Sequence, residues 1–337
     1  MTQRADHITL FTRLITDPGT DAGVFARARD RARGAEAAGI DALLLHDSQS
    51  AATAPAEDPH FEAGTLAGAL AVSTRAVGLV AAMSTEHALP YHVARVLATV
   101  DHLTPGRAGW QPLTGADPAA AANYGRADGP SSAAARRSRA AEFTAVLTGL
   151  WDSFDDDAFR RDRESGVYFT PEKLHALDHR GEHFDVAGPL NIARPPQGHP
   201  LLVHRPADAD DIAFAARVAD VVLLTVPDGE DPARLREAVR EQARAAGRDA
   251  DGIAVLIDWR VDGGPDEAER LRALFAAGAA DGFTLLAPAG PAEAAHEAVL
   301  SLATAVRAGG HAPTATREGT TLRDRLGLPR PADRRAA

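Results

Sequence analysis

The chain has 337 residues and no cysteine, only two methionines, and few aromatic side chains. Without thiols it has no disulfide framework, no thiolate nucleophile and no Cys-ligated zinc, so an unstapled cytosolic protein is expected. No stretch approaches the roughly 18 consecutive apolar residues that span a bilayer. The apolar run in the opening MTQRADHITLF is too short for a secretory leader. Basic residues are outnumbered, 36 Lys and Arg against 47 Asp and Glu, and the net charge is −11. No basic cluster tracks a phosphate backbone, so neither nucleic acid nor membrane is an expected partner.

What the chain does have is alternation. Short apolar runs at Ile8–Leu14, Ala42–His46, Val77–Ser84 and Ala108–Leu113 read as strands. Stretches with helical spacing lie between them: Val24–Ala38, Phe61–Thr74 and Pro90–Leu103, the last with proline in its first turn. An interruption from Thr114 to His199 holds a helix near Arg136–Trp151 and a hairpin-like GEHFDVAGPL at Gly181–Leu190. The alternation then resumes. Strands are expected at Leu201–His204, Val221–Thr225, Ile253–Val261 and Gly282–Ala287. The matching helices are Asp208–Val218, Asp231–Ala246, Asp266–Ala280 and Ala292–Arg307.

Eight strand–helix units imply a parallel sheet with right-handed crossovers. In this length they fit a closed (β/α)8 barrel, the TIM barrel of the α/β class, better than an open sheet. The expected organisation is one barrel domain over residues 1–320, with 114–199 inserted between strands four and five. A tail at 321–337 follows, loose over Pro329–Ala337. In such barrels the chemistry sits at the C-terminal strand ends. Those ends lie near Arg13, His46-Asp47, Ser84-Thr85, Trp110–Thr114, His204–Asp208, Thr225, Trp259 and Ala287.

The stretch STEHALPYHVARVLATVDHLTPGRAGWQPLTG and the following AANYG (Ser84–Gly125) resemble the bacterial luciferase-like flavin monooxygenases. The similar branch holds the nitrilotriacetate, dibenzothiophene-sulfone and long-chain alkane monooxygenases. EFTAVLTGLWDSFDDDA, HALDHRGEHFDVAGPLNIARPPQGHPLLV, AARVAD, DGFTLL and TLRDRLGLPRP follow in the family's order. The resemblance implies the same barrel, reduced FMN supplied by a separate flavin reductase, O2 as co-substrate, and a homo-oligomer, by default a dimer. No Gly-x-Gly-x-x-Gly turn follows a strand, so no nicotinamide domain is visible here and the reductant comes from another protein.

Carried over residue by residue, the resemblance places Asp47, Ser84 and Thr85 beside the flavin. Spacing alone reads Asp47 equally well as a cap and Ser84-Thr85 as turn chemistry. Gln111 stands where the family has Asn, Pro112 removes a backbone donor, and Gly115 replaces a Ser. Arg137 takes the place of a Tyr near the flavin phosphate; an arginine on a solvated helix face is the alternative. After strand five the family's Gln-Ala-Gly-x-Ser becomes His204-Arg205-Pro206-Ala207-Asp208. Asp208 can cap the next helix itself, and Asp210 and Asp211 add charge that repels phosphate. Arg205 and Arg137 are the compensating cations. The link from strand seven to strand eight is also shorter than in the family, implying a more open site.

Three functions follow from this reading. The first is an FMN-dependent monooxygenase acting on a small organic substrate. In it Asp47, Ser84, Thr85, Gln111, Arg137, Arg205 and Asp208 form the flavin site. His46, His87 and His204 are candidates for proton transfer. The second is a barrel that has lost flavin, acting as a flavin-independent enzyme or as a non-catalytic partner subunit. The third is a metal-dependent hydrolase built on His46, Asp47, His87 and His204. The absence of tight ligand spacing counts against it, and no metal is expected.

Overall fold

The structure is a computed structural model describing residues 7–16, 22–50, 61–125, 132–310 and 320–333. The apolar runs form the strands β1 (Thr9–Arg13), β2 (Ala42–Leu45), β3 (Gly78–Ser84) and β4 (Ala108–Leu113). Between them lie α1 (Val24–Ala37), α2 (Ala63–Ala71) and α3 (Pro90–Leu103). The second half supplies β7 (Leu201–His204), β8 (Val221–Leu224), β9 (Ala254–Arg260) and β10 (Gly282–Leu286), with helices α6 (Ala209–Val218), α7 (Pro232–Ala245), α8 (Glu267–Ala276) and α9 (Ala292–Ala308). All eight strands pair in parallel and close into a barrel in the order β1-β10-β9-β8-β7-β4-β3-β2. This is the expected (β/α)8 architecture.

Side chains alternate across each strand, and burial sorts them into two cores. Phe11, Leu44, Val80, Leu201, Val203, Leu223 and Leu256 fill the barrel interior. Leu10, Leu43, Leu79, Trp110, Leu202, Ile257 and Phe283 pack outward against the helices. Closure requires near contact of backbones at one point: a Cβ on Gly282 would lie 2.1 Å from the Thr9 carbonyl oxygen. Only glycine lets β10 meet β1 there.

Between β4 and β7 the chain adds α4 (Pro118–Asn123), α5 (Ala133–Trp151) and a two-stranded hairpin. The short α4 has no counterpart among the expected elements, and α5 begins three residues before the expected Arg136. The hairpin pairs β5 (His179–Arg180) with β6 (Asp185–Val186), two residues earlier than the expected Gly181 start. Glu142 of α5 fixes that register by accepting hydrogen bonds from the His183 and Phe184 amides, each at 2.9 Å.

The tail departs most from expectation. Pro329–Asp333, expected to be loose, instead continues a Thr321–Asp333 segment packed across the N-terminal end of the barrel. Helix α10 (Leu322–Arg325) opens with a capping box between Thr321 and Asp324. Leu322, Leu326 and Leu328 complete the interior core. Arg323, only 2% exposed, pairs with Asp220 and donates to the His199 carbonyl at 2.9 Å. Beyond it, Arg330 pairs with Asp156, and Arg194 donates to the Pro331 carbonyl at 3.0 Å. Tail apolar residues are too sparse to announce this from periodicity. Residues 334–337, the rest of the stretch expected to be loose, lie outside the described residues.

Candidate active site

The C-terminal mouth differs in kind from the plugged end. Continuing each strand's inward parity past its last apolar residue gives Arg13 from β1, His46 after β2, Ser84 from β3, Gln111 from β4, Arg205 after β7 and Asp258 from β9. A polar layer therefore sits directly above the hydrocarbon core. Four of these residues, His46, Ser84, Gln111 and Arg205, line a cavity of about 670 Å³, within the usual range for small-ligand sites.

Nine of the ten candidate residues line this cavity: His46, Asp47, Ser84, His87, Gln111, Arg137, His204, Arg205 and Asp208. Thr85 is set apart. It is fully buried, and its hydroxyl donates to the Leu113 carbonyl at 3.3 Å. The strand parity that turns Ser84 inward turns Thr85 away. Ser84 Oγ accepts from the Glu86 and His87 amides at 3.1 and 3.2 Å, shaping the turn. Asp47 Oδ2 accepts from the Ala63 amide at 2.8 Å and so holds the start of α2. Burial pushes the Asp47 carboxyl above its ordinary range. Its other oxygen, Oδ1, is buried with no partner among the described residues.

On the cavity floor His46 Nε2 lies 2.9 Å from Gln111 Oε1. The amide oxygen is acceptor only, so the imidazole donates from Nε2. Burial, together with the charges of Arg13 and Arg205, lowers the His46 pKa to about 4 against the opposing Gln111 bond. The ring is therefore neutral at physiological pH. His87 lies at the rim and stacks on Tyr124, with ring centroids 4.8 Å apart and nearly parallel.

His204 has a different orientation. It shares the outward parity of Leu202, and its ring meets Phe214 of α6 edge-on at 5.0 Å. Its Nε2 bonds Asp211 Oδ1 at 3.0 Å. Asp211 Oδ2 in turn accepts from the Ala207 amide at 2.9 Å. His204 thus fastens β7 to α6. Burial raises the Asp211 carboxyl, but the bond and charge of His204 outweigh it and hold the group below its ordinary range.

At the outer end the cations are already engaged. Arg137, 19% exposed, reaches Asp208 at 3.4 Å and Asp210 at 3.0 Å. Asp208 caps α6 through the Asp211 amide at 2.8 Å. Arg136 donates to the Thr114 carbonyl at 2.9 Å. Arg205 pairs with Asp258, which is 5% exposed and also accepts from Thr225 at 2.6 Å. Asp258 is absent from the sequence candidates, which place the strand end at the neighbouring Trp259. The available signal is parity: in AVLIDWR the aspartate alternates with Ala254 and Leu256, which point inward. Trp259 points outward and donates to Glu267 at 2.7 Å. Among the described residues no group of three or more His, Asp or Glu is placed to hold a metal ion.

Residues 7–323 match the luciferase-like monooxygenase family. The chain belongs to that family. It is 40% identical over 321 residues to a pristinamycin IIA synthase subunit of Streptomyces pristinaespiralis, covering 95% of this chain and 94% of that one. It is 39% identical over 230 residues to N-acetyl-S-(2-succino)cysteine monooxygenase of Bacillus subtilis, 68% of this chain but only 52% of the relative. The chain thus spans about half the length of that relative, while matching the synthase component almost end to end. Nitrilotriacetate, dibenzothiophene-sulfone and long-chain alkane monooxygenases are also relatives, which places the chain in the branch its motifs resemble. Among solved structures, EDTA monooxygenase from Chelativorans sp. BNC1 superposes with a TM-score of 0.80 at 24% identity, covering 96% of this chain and 99% of that one. That likeness concerns the fold.

The residues present fit the two ends of FMN differently. The floor offers an amide and a neutral imidazole in a cavity of ligand size, which suits a flavin ring. At the outer end Arg137 is balanced by two of the chain's own carboxylates and Arg136 is held on the Thr114 carbonyl, which does not favour a phosphate.

Proposed function

We propose that this chain is the oxygenase component of a two-component flavin-dependent monooxygenase. It takes reduced FMN from a separate reductase and, with O2, oxidises a small organic substrate at the barrel mouth. The observation that carries this reading is the His46–Gln111 pair on the floor of the roughly 670 Å³ cavity, in a chain of this family. When bound, reduced flavin supplies the electrons for oxygen activation.

The chain's own residues have distinct tasks. Gln111, with its oxygen occupied by His46, keeps its amide N–H groups for a ligand acceptor at the ring edge. Neutral His46 holds that amide in place and accepts a proton poorly until the pH is well below neutral. His87, on the rim, is the better placed histidine for exchange with solvent. The short Val261–Asp266 link between β9 and α8 leaves the mouth open, so water exclusion falls to the substrate or to a second copy of the chain. Self-association as a dimer is part of this proposal.

A second reading is favoured by one specific observation. Arg137 and Arg205 are already paired with the chain's own carboxylates, and the end-to-end relative is named as one component of a synthase, of which a further component is also similar to this chain, at 32% identity. In that reading the chain is a flavin-free partner of an active homologue. Anaerobic titration with reduced FMN, followed by substrate-dependent oxygen uptake with a flavin reductase, separates the two. Stoichiometric binding supports the oxygenase. Absence of binding at high micromolar flavin leaves the flavin-free partner reading.

A further inference from the structure

We infer that this site recognises its flavin through the ring alone, and that the phosphate of FMN adds no affinity. The inference rests on the flavin reading above and concerns how that same site selects its ligand.

Around the outer end, Arg136 and Arg137 are accompanied by Asp208, Asp210 and Asp211, and Arg205 in the floor layer below is already paired with Asp258. The carboxylates already match or exceed the guanidiniums before any ligand arrives. A phosphate dianion there has to take Arg137 from Asp208 and Asp210, so it replaces existing ion pairs rather than adding new ones. It also leaves both carboxylates beside it. Asp208 cannot readily turn away, because its Oδ1 holds the Asp211 amide at 2.8 Å as the cap of α6. Arg205 cannot turn toward the phosphate without stranding Asp258, whose side chain is 5% exposed. Uncompensated buried carboxylates are costly.

Some backbone donors are already lost: Pro206 has no N–H, the Ala207 amide is taken by Asp211, and the Asp211 amide by Asp208, while the remaining first-turn amides of α6 lie beside the Asp208 and Asp210 carboxylates. Where Gly115 lines the cavity there is no hydroxyl to help. Of these residues only Arg205 and Asp258 belong to the floor layer, where they pair with each other and leave Gln111 and His46 to meet the ring.

The test is anaerobic equilibrium dialysis of the purified protein against photoreduced FMN and photoreduced riboflavin, repeated with an Asp208→Asn/Asp210→Asn variant. Asparagine retains N-capping ability, and a thermal melt verifies that the variant folds. The expected result is an FMN affinity within about threefold of riboflavin in the parent chain. The variant should tighten FMN by about threefold, the scale expected for removing two like charges whose side chains are 55% and 80% exposed and therefore screened, and leave riboflavin unchanged. Arg137→Ala should weaken both flavins to the same small extent. FMN binding more than about thirtyfold tighter than riboflavin in the parent chain overturns the inference and leaves the flavin reading standing. An FMN-to-riboflavin ratio that the double variant does not move overturns the role of Asp208 and Asp210. Binding of neither flavin overturns the flavin reading, and the inference with it.

Discussion

The two ends of this barrel are built from opposite materials. At the N-terminal end, Leu322, Leu326 and Leu328 from the tail seal an apolar core, and buried Arg323 is matched by Asp220. At the C-terminal end the same strands release polar side chains into a cavity, and some of their atoms, such as Asp47 Oδ1, have no partner among the described residues. The sealed end contributes stability through its apolar plug and ion pairs, although single buried atoms such as Arg325 Nε there also lack a hydrogen-bond partner among the described residues. The end that opens a polar-lined cavity of ligand size is kept for a ligand. The contrast predicts that substitutions at the plug change folding without changing recognition, and that substitutions on the floor change recognition and, through His46, the acid side of the stability profile.

The largest effect is expected at the plug. Leu322 is fully buried, and a Cβ on Gly78 would lie 2.6 Å from its Cδ2, so the leucine fills a close-fitting niche. Leu322→Ala should destabilise the chain by about 2–5 kcal/mol, read as a lower urea midpoint. The folded fraction should bind riboflavin as the parent does. A variant that keeps its midpoint would mean that the tail rests on the barrel without sealing it.

Next comes acid sensitivity at the mouth. His46 has a folded pKa near 4 against an ordinary value of 6.5. Its unfolded form therefore takes up a proton that the folded form refuses. Stability from this group is fully present above pH 6.5 and is lost as the pH falls from 6.5 toward 4. The linkage amounts to roughly 2 kcal/mol at pH 5. His46→Gln should remove this part of the pH dependence, seen as a flatter plot of denaturation midpoint between pH 7 and 5. An unchanged slope would show that His46 is solvated and titrates normally.

The floor itself should show the recognition effect. Gln111→Ala removes the acceptor for His46 Nε2 and the amide proposed to meet the ring. Flavin affinity should fall about tenfold, the scale of one or two hydrogen bonds in a sheltered site. The urea midpoint should move less than for Leu322→Ala. Loss of stability with intact affinity would reverse the comparison between the ends.

The sequence makes the barrel legible because eight apolar runs alternate with helical spacing, and that pattern has few closed solutions. The mouth is legible as a set of strand ends, but not as a set of directions. Ser84 and Thr85 are adjacent, yet parity sends one into the cavity and the other into the wall. His204 looks like a mouth residue by position and turns out to bind the helix layer. Asp258 escapes notice when the strand end is placed at its neighbour Trp259. Partners at large separation, such as Arg205 with Asp258 or Arg323 with Asp220, have no local signature at all. The tail plug is hidden for the same reason: its leucines find their core across the whole chain.

The smallest effect expected is also the one that isolates the outer end. Gly115 lines the cavity, a Cβ there would meet nothing within 4 Å, and its backbone is not held in the left-handed region. Gly115→Ser should therefore leave stability within about 0.5 kcal/mol of the parent while adding a hydroxyl at the outer rim. If Asp208 and Asp210 set the preference against phosphate, one added neutral donor should shift the FMN-to-riboflavin affinity ratio by no more than about twofold. A much larger shift would mean that a missing donor, rather than the excess of carboxylates, governs that end of the cavity. Dialysis of this variant beside Asp208→Asn/Asp210→Asn separates these causes, because the first changes hydrogen bonding at constant charge and the second changes charge at nearly constant shape.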